Sequence, residues 1–141
     1  MRTYEYLNNP VIAKGFYNVK CTDVDVLGEP DQPTIIVQLR IVPYEPYGEA
    51  QEQVLHVTLR SSPNARPMHD LFRQMFRIQR CPTEAIGRFG CVFVDTSEYQ
   101  GALYSAVHIT KQSDISKRHA MALEKADRNG EISWSATPCN R

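Results

Sequence analysis

Cationic and hydrogen-bonding side chains recur at every second position of two segments that read as neighbouring strands, 34–42 and 53–60. The alternate positions are aliphatic, which is typical of a sheet with one buried and one solvent-facing side. The solvent-facing residues are Gln38, Arg40, His56 and Arg60, and Lys20 lies on the strand that precedes them. Side chains of this kind hold phosphate groups through their charge and reach nucleic-acid bases through hydrogen bonds.

Tyrosines in the loops and later strands add a second kind of chemistry. Flat aromatic rings stack on unpaired bases, and this stacking tolerates every base. Tyrosine is also a common half-buried strand residue, so packing within the domain is the alternative interpretation. The candidate stacking residues are Tyr44, Tyr47, Tyr99 and Tyr104, and an N-terminal arm adds Tyr4 and Tyr6. With the polar residues above, they predict a cationic groove with aromatic stacking positions.

One segment, 66–79, has the pattern of an amphipathic helix. Apolar residues recur at i, i+3, i+4, i+7 and i+8, and Pro67 suits a first helical turn. At about 100° per residue, four arginines fall together on one side of this helix. They are Arg66, Arg73, Arg77 and Arg80. They form a weak candidate site for an anion or a partner protein, and a solvated helix face is the alternative.

The overall composition favours a globular protein without a membrane-spanning segment. Lys plus Arg and Asp plus Glu both number 16, so the net charge does not indicate a polyanionic partner. No apolar run reaches the length needed to cross a bilayer, and the N-terminus lacks a signal-peptide pattern. We therefore expect a cytoplasmic protein with reduced cysteines and no membrane partner.

Catalytic and cofactor signatures are weak in this sequence. His69 and Asp70 are neighbours on the predicted helix, so their side chains diverge and do not form a base–orienter pair. No Gly-x-x-x-x-Gly-Lys-Ser/Thr phosphate loop occurs. The four cysteines are scattered, without the close pairs typical of zinc sites. We expect a protein that is not an enzyme and that binds no metal or cofactor.

The order of the predicted elements points to a fold. A long first strand, 15–27, precedes the two strands described above, and its apolar positions change parity after Asp23, which predicts a β-bulge. The helix follows, then strands 90–95 and 102–110, joined by a turn over 96–101. Three strands, a helix and a two-stranded hairpin form the order of the five-stranded OB-fold barrel. An SH3-like barrel or an open α+β sheet could present the same order.

The C-terminal region is predicted as an appendage. Residues 1–112 form the barrel with a short N-terminal arm, and residues 113–141 form a polar, partly helical segment. Ser113 or Asp114 suits the start of a helix that reaches about Ala126, and Asn129-Gly130 suits its end. The apolar content of this segment is thin, so we expect it to pack loosely.

Three short runs resemble small OB-fold proteins of phages and mobile elements that bind single-stranded DNA. They are Gly15-Phe-Tyr-Asn-Val-Lys, Ala85-Ile-Gly-Arg-Phe-Gly-Cys-Val-Phe-Val and Tyr99-Gln-Gly101. The resemblance covers residues 10–112 and is one of layout. It implies a non-catalytic accessory protein of DNA replication or recombination whose partner is single-stranded DNA. The alternative is a protein–protein interaction or assembly module, with a protein partner or a second copy of the chain as its ligand.

Overall fold

Five antiparallel strands form one curled sheet, a half-barrel, in the computed structural model, which describes residues 9–29, 31, 33–43 and 54–134. The strands are β1 (Gly15–Leu27), β2 (Thr34–Ile41), β3 (Val54–Leu59), β4 (Phe89–Tyr99) and β5 (Ala102–Ile109). Helix α1 (Arg66–Met75) lies between β3 and β4, and helix α2 (Asp114–Arg128) follows β5. The predominance of strands and the position of α1 agree with the sequence-based prediction.

Strand β1 occupies the centre of the sheet, because it pairs with both β2 and β4. The strand order is β3-β2-β1-β4-β5, so β3 and β5 are the two edges. The register between β1 and β2 shifts between Cys21 and Asp23. This shift confirms the predicted bulge, and it lets a single long strand bend so that it serves both halves of the curled sheet.

The core lies between the inner face of the curled sheet and α1. Aliphatic side chains at alternate strand positions fill it, and α1 adds Phe72, Met75 and the adjoining Phe76, each no more than 1% exposed. Met75 lies directly against β4. A Cβ atom built on Gly90 would be only 2.7 Å from Cγ of Met75. A glycine at this position therefore allows the helix to approach the sheet closely.

Helix α1 ends at Met75, four residues before the predicted end at Gln79. Arg77 adopts a left-handed backbone with φ of 56°. Its N–H donates to the carbonyl of Gln74, and the N–H of Ile78 donates to the carbonyl of Arg73 at 2.9 Å. These two bonds form a Schellman motif, which closes the helix without the usual glycine. The apolar periodicity did not predict this end, because Ile78 continues the buried pattern beyond the helix.

The hairpin between β4 and β5 is tighter than predicted. The sequence predicts a turn over 96–101, whereas β4 continues to Tyr99, which pairs directly with Ala102. Only Gln100 and Gly101 form the turn, with φ values of 51° and 82°. Two positive φ values define a two-residue turn whose twist matches that of the strands it joins.

Helix α2 begins and ends close to the predicted positions. The Ser113 hydroxyl accepts a hydrogen bond from the N–H of Ser116 at 3.1 Å, as an N-cap does. Gly130 has a φ of 72°, and the N–H of Glu131 donates to the carbonyl of Ala126 at 2.8 Å, which closes the C-terminus. Among the residues that the structure describes, no helix is both long and apolar enough to cross a membrane.

Candidate nucleic-acid interface

A hydrogen-bonded row crosses the outer faces of β1, β2 and β3. Gln38 lies directly opposite His56, and the His56 Nε2 is 3.3 Å from the Gln38 Oε1. The Gln38 Nε2 donates to the Thr22 hydroxyl at 3.0 Å. Because each side chain is held by the next, the row presents fixed polar groups instead of mobile ones. Gln38 and His56 therefore lie together on the outer face, as the alternation pattern predicts.

A groove of about 260 Å³ separates the outer faces of the two edge strands, β3 and β5. The β3 side contributes His56, Thr58 and Arg60, and the β5 side contributes Tyr104, Ala106 and His108. Three of the predicted site residues thus meet here from distant parts of the sequence. The groove combines a guanidinium, two imidazoles and a phenol ring, which are groups that contact phosphates and bases.

The side-chain amide of Asn9 spans the gap between these two edge strands. Its Nδ2 donates to the carbonyls of His56, at 2.9 Å, and Ser105, at 3.0 Å. Its Oδ1 accepts the N–H of His56 at 2.8 Å. Asn9 is only 4% exposed. The sequence predicts only an N-terminal arm in this region, whereas the buried Asn9 amide joins the two edge strands and so holds them at a fixed separation.

An exposed aromatic cluster adjoins the groove on β1, β4 and β5. Phe16, Phe93 and His108 lie side by side, because the strand register pairs Phe93 with both of the others. The ring centres of Phe16 and Phe93 are 5.0 Å apart, and those of Phe93 and His108 are 6.2 Å apart. Phe16 is 66% exposed, and Lys14 Nζ lies 6.0 Å from the centre of the Phe93 ring.

The sequence-based site did not include this aromatic cluster. Phe16 and Phe93 occupy positions whose parity is opposite to that of the buried Tyr17 and Val92. Strict alternation along both strands could therefore have placed the two rings on the outer face. A large apolar side chain in a strand is usually assigned to the core, so pattern reasoning favours tyrosines over phenylalanines as exposed stacking residues.

Two residues of the C-terminal segment, Asp127 and Trp134, contact Lys20 and Arg40. They lie directly opposite each other on β1 and β2. Lys20 Nζ forms an ion pair with the Asp127 carboxylate at 2.7 Å, and the Arg40 guanidinium lies 4.5 Å from the centre of the Trp134 ring. The Trp134 Nε1 donates to Asp127 at 2.8 Å. Two predicted phosphate-binding residues are thus engaged by an acid and an aromatic ring of the same chain.

The pKa of Asp127 reflects the hydrogen bonds and charges that surround its carboxyl group. Partial burial acts to raise the pKa of the carboxyl group, but hydrogen bonds from Lys20 and Trp134 and the charges of Lys20 and Arg40 hold it below its ordinary value. Asp127 therefore carries a full negative charge at neutral pH. Its carboxylate presents anionic oxygens to two cations.

Helix α2 is held to the sheet by polar contacts, although its thin apolar pattern predicted loose packing. The Glu124 carboxylate accepts the N–H of Phe89 at 2.7 Å and pairs with Arg77. Ala120 is buried, whereas Ile115 and Met121 are 72% and 53% exposed. Sequence periodicity does not detect docking of this kind, because the contacts are made by acids that also suit a solvated helix face.

The four helix-region arginines do not form one stripe. A cleft of about 400 Å³ lies beside α1. It is lined by Arg66, Arg73 and Arg80, together with Asp31 and Asp70. Arg77 points elsewhere, because its left-handed backbone follows the helix end and its guanidinium pairs with Glu124 on α2. The predicted clustering on one helix face is therefore wrong for Arg77, and the remaining three residues share a cleft of mixed charge.

Of the remaining predicted tyrosines, only Tyr99 is among the residues that the structure describes. Tyr99 is 47% exposed at the β4–β5 hairpin and is not among the residues that line the groove. Tyr4, Tyr6, Tyr44 and Tyr47 lie outside the described residues. Within the described ranges, no three His, Cys, Asp or Glu side chains are grouped so that they could hold a metal ion.

Comparison with known proteins does not extend these observations. The sequence matches no protein-family model and has no significant similarity to a curated protein.

Proposed function

We propose that the protein binds single-stranded DNA along an outer band, which we define as the β3–β5 groove with His56, Arg60, Tyr104 and His108, and the adjoining Phe16, Phe93 and Lys14. The observation that carries the proposal is the continuity of this surface. His108 lines the groove and also stands 6.2 Å from Phe93, so the polar groove passes directly into the aromatic cluster. A single strand needs both kinds of contact side by side.

Each part of the outer band has a role in this proposal. Phe16 and Phe93 stack on bases, and each such contact is worth about 1–3 kcal/mol. Lys14 and Arg60 pair with phosphates, and this contribution weakens as salt rises. His56 and Gln38 provide hydrogen bonds that are already oriented by their mutual contact. The rings outnumber the cations, so base stacking supplies much of the affinity.

The layout of the strands supports the same proposal by analogy. Three strands, a helix and a hairpin occur in the order of an OB-fold barrel, whose outer strand faces and loops bind oligonucleotides. We propose that the half-barrel is a member of this fold type and serves as an accessory factor in phage or mobile-element replication or recombination. Fold analogy alone does not establish function, so the argument depends on the outer band.

The proposal is tested by fluorescence anisotropy with a labelled oligo-dT of about 30 nucleotides, at low and physiological salt. We expect salt-sensitive binding by the native chain, and a loss of about tenfold or more for Phe93→Ala. Leu103→Ala is the matched control, because Leu103 is 59% exposed on β5 but does not line the groove. The proposal would be contradicted if the native chain did not bind at low salt. It would also be contradicted if Phe93→Ala and Leu103→Ala lost affinity equally.

A second candidate function is an interaction with an acidic protein surface, and it is favoured by the cleft with Arg66, Arg73 and Arg80. Among the described residues, none of these three guanidiniums forms an ion pair with a carboxylate. Calorimetric titration with a glutamate-rich decapeptide tests this function. Binding that is lost in Arg73→Gln but kept in the exposed control Arg118→Gln would support it, and no binding by the native chain would exclude that ligand.

A further inference from the structure

We propose that Lys20, Arg40 and Phe89 form a nucleotide subsite that the chain's own Asp127 and Trp134 occupy, and that a bound single strand displaces them. This inference rests on the proposed function. It adds that residues 127–134 control access to one part of the interface. The evidence is the chemistry of the contacts on β1, β2 and β4.

Asp127 and Trp134 resemble the phosphate and the base, the two parts of a nucleotide that a protein recognises. Asp127 offers an anionic oxygen 2.7 Å from Lys20 Nζ, as a phosphate would. The Trp134 indole is a flat ring that packs against the Arg40 guanidinium, with the Phe89 ring centre 6.3 Å away, as a base would. The internal hydrogen bond from Trp134 to Asp127 keeps these two groups together.

The subsite is continuous with the rest of the outer face. Arg40 and Gln38 are on the same face of β2, two residues apart, and Gln38 contacts His56, which lines the β3–β5 groove. A strand that occupies the groove and passes over Gln38 therefore reaches Arg40 next and Lys20 beside it. Extension of the strand in this direction requires Asp127 and Trp134 to leave.

The contacts of the segment are suited to reversible release. The side chains of Lys20 and Asp127 remain 27% and 17% exposed, so water reaches both charges as they separate. Gly130, with its φ of 72°, lies between the end of α2 and Trp134 and is the natural hinge for Trp134. Asp127 lies within α2, before this hinge, so only its side chain has to turn away from Lys20. Glu124 remains bound to the N–H of Phe89, so the body of α2 can stay in place while Trp134 moves.

Trp134 provides a direct signal for this displacement, because it is the only tryptophan in the chain. We would titrate the native protein with unlabelled oligo-dT and record tryptophan emission, while anisotropy of a labelled strand reports binding. Release of the indole into water is expected to shift its emission to longer wavelength as the strand binds. Emission that stays constant at saturating strand would overturn the inference.

Two variants and a matched control measure the competition between the bound strand and the side chains of Asp127 and Trp134. Asp127→Asn removes the charge that holds Lys20, and Trp134→Ala removes the ring on Arg40, so each is expected to tighten strand binding by roughly three- to fivefold. Asp114→Asn makes the same charge change at the exposed N-terminal end of α2 and should have a smaller effect. Equal gains in Asp114→Asn and Asp127→Asn would overturn the inference, because they would indicate net charge alone.

The outcomes separate this inference from the proposed function. Binding by the native chain with no gain in either variant means that the segment is a fixed structural element, and only the inference fails. Binding by the variants but not by the native chain supports the inference strongly. No binding by any protein, with far-UV circular dichroism showing that all are folded, rejects the proposed function and the inference together.

Discussion

The guanidinium of Arg40 lies 4.5 Å from the centre of the Trp134 ring, although the two residues are 94 positions apart in the sequence. This contact brings the C-terminal segment onto the face that the strand pattern predicts for nucleic acid. It also crosses the predicted boundary at residue 112. Residues 113–134 therefore contribute to this outer face, and a chain truncated at residue 112 would present a different surface from that of the full chain.

The Asn9 bridge predicts a stability effect far from any ligand. Asn9→Ala leaves the part-buried N–H of His56 without its acceptor and removes two donated bonds, so the free energy of unfolding should fall by about 1–3 kcal/mol. Urea unfolding followed by circular dichroism measures this change. The exposed Asn64→Ala is the control, with an expected effect within about 0.5 kcal/mol. Similar midpoints for both variants would show that the bridge is not needed.

The contact between Gly90 and Met75 predicts a steric effect in the core. Gly90→Ala places a methyl group 2.7 Å from a buried side chain, and such overpacking typically costs about 1–3 kcal/mol. Met75→Ala in the same chain removes the obstructing atoms, so Gly90→Ala should cost much less in that background. A double-mutant cycle from thermal or urea unfolding gives the coupling energy. Additive effects would contradict the proposed clash.

The lowered pKa of Asp127 predicts an acid-dependent release of Trp134. A carboxyl group whose folded pKa is lowered stabilises the docked form above its ordinary pKa of 3.8, and this stabilisation is lost as pH falls through the lowered value. Trp134 emission should therefore be constant from pH 7 to about 4 and change below 3.8. Lys20 and Arg40 are the charged groups that face the carboxylate.

The Asp127→Asn variant is the control for this titration, because its side chain does not ionise. Its emission should show no step in the same pH range. Far-UV circular dichroism recorded in parallel identifies global acid unfolding, to which other carboxyls such as Glu84 contribute. A step of equal size in both proteins would mean that Asp127 is not the titrating group.

The cysteines should differ in their reactivity. Burial raises the pKa of the Cys21 thiol to about 12, and the residue is inaccessible in the core. Cys81 is exposed beside α1. At pH 8, iodoacetamide should modify Cys81 rapidly and Cys21 only after denaturation, as peptide mass spectrometry can measure. Rapid labelling of Cys21 in the folded protein would indicate that β1 opens locally.

Most of the strand architecture could be predicted from the sequence, because alternation reports directly which face of a strand is buried. The limits of β1 agree with the prediction at both ends, and its bulge was visible as a change of parity. The end of α1 could not be predicted in this way. Arg77 adopts a backbone conformation that glycine usually provides, and apolar periodicity continues past it to Ile78.

The candidate site was only partly predictable from the sequence. Gln38, His56 and Arg60 follow from strand parity alone, whereas the proximity of His56 and Arg60 to Tyr104 depends on how far the sheet curls. The docking of Asp127 on Lys20 had no periodic signal, because single long-range ion pairs leave no pattern in a sequence. The exposure of Phe16 was not predicted although its parity was informative, because aromatic strand residues are usually assigned to the core.

The most direct test of the outer band is a crosslinking map. Oligo-dT containing 5-bromodeoxyuridine would be irradiated with the native protein, and the crosslinked peptides would be identified by mass spectrometry. We predict crosslinks at Phe16, Phe93 and Tyr104. Excess unlabelled oligo-dT competes for the same surface and should therefore abolish the crosslinks at Phe93. Crosslinks confined to the cleft around Arg73, or none at a strand concentration that saturates the protein, would contradict the assignment of the outer band.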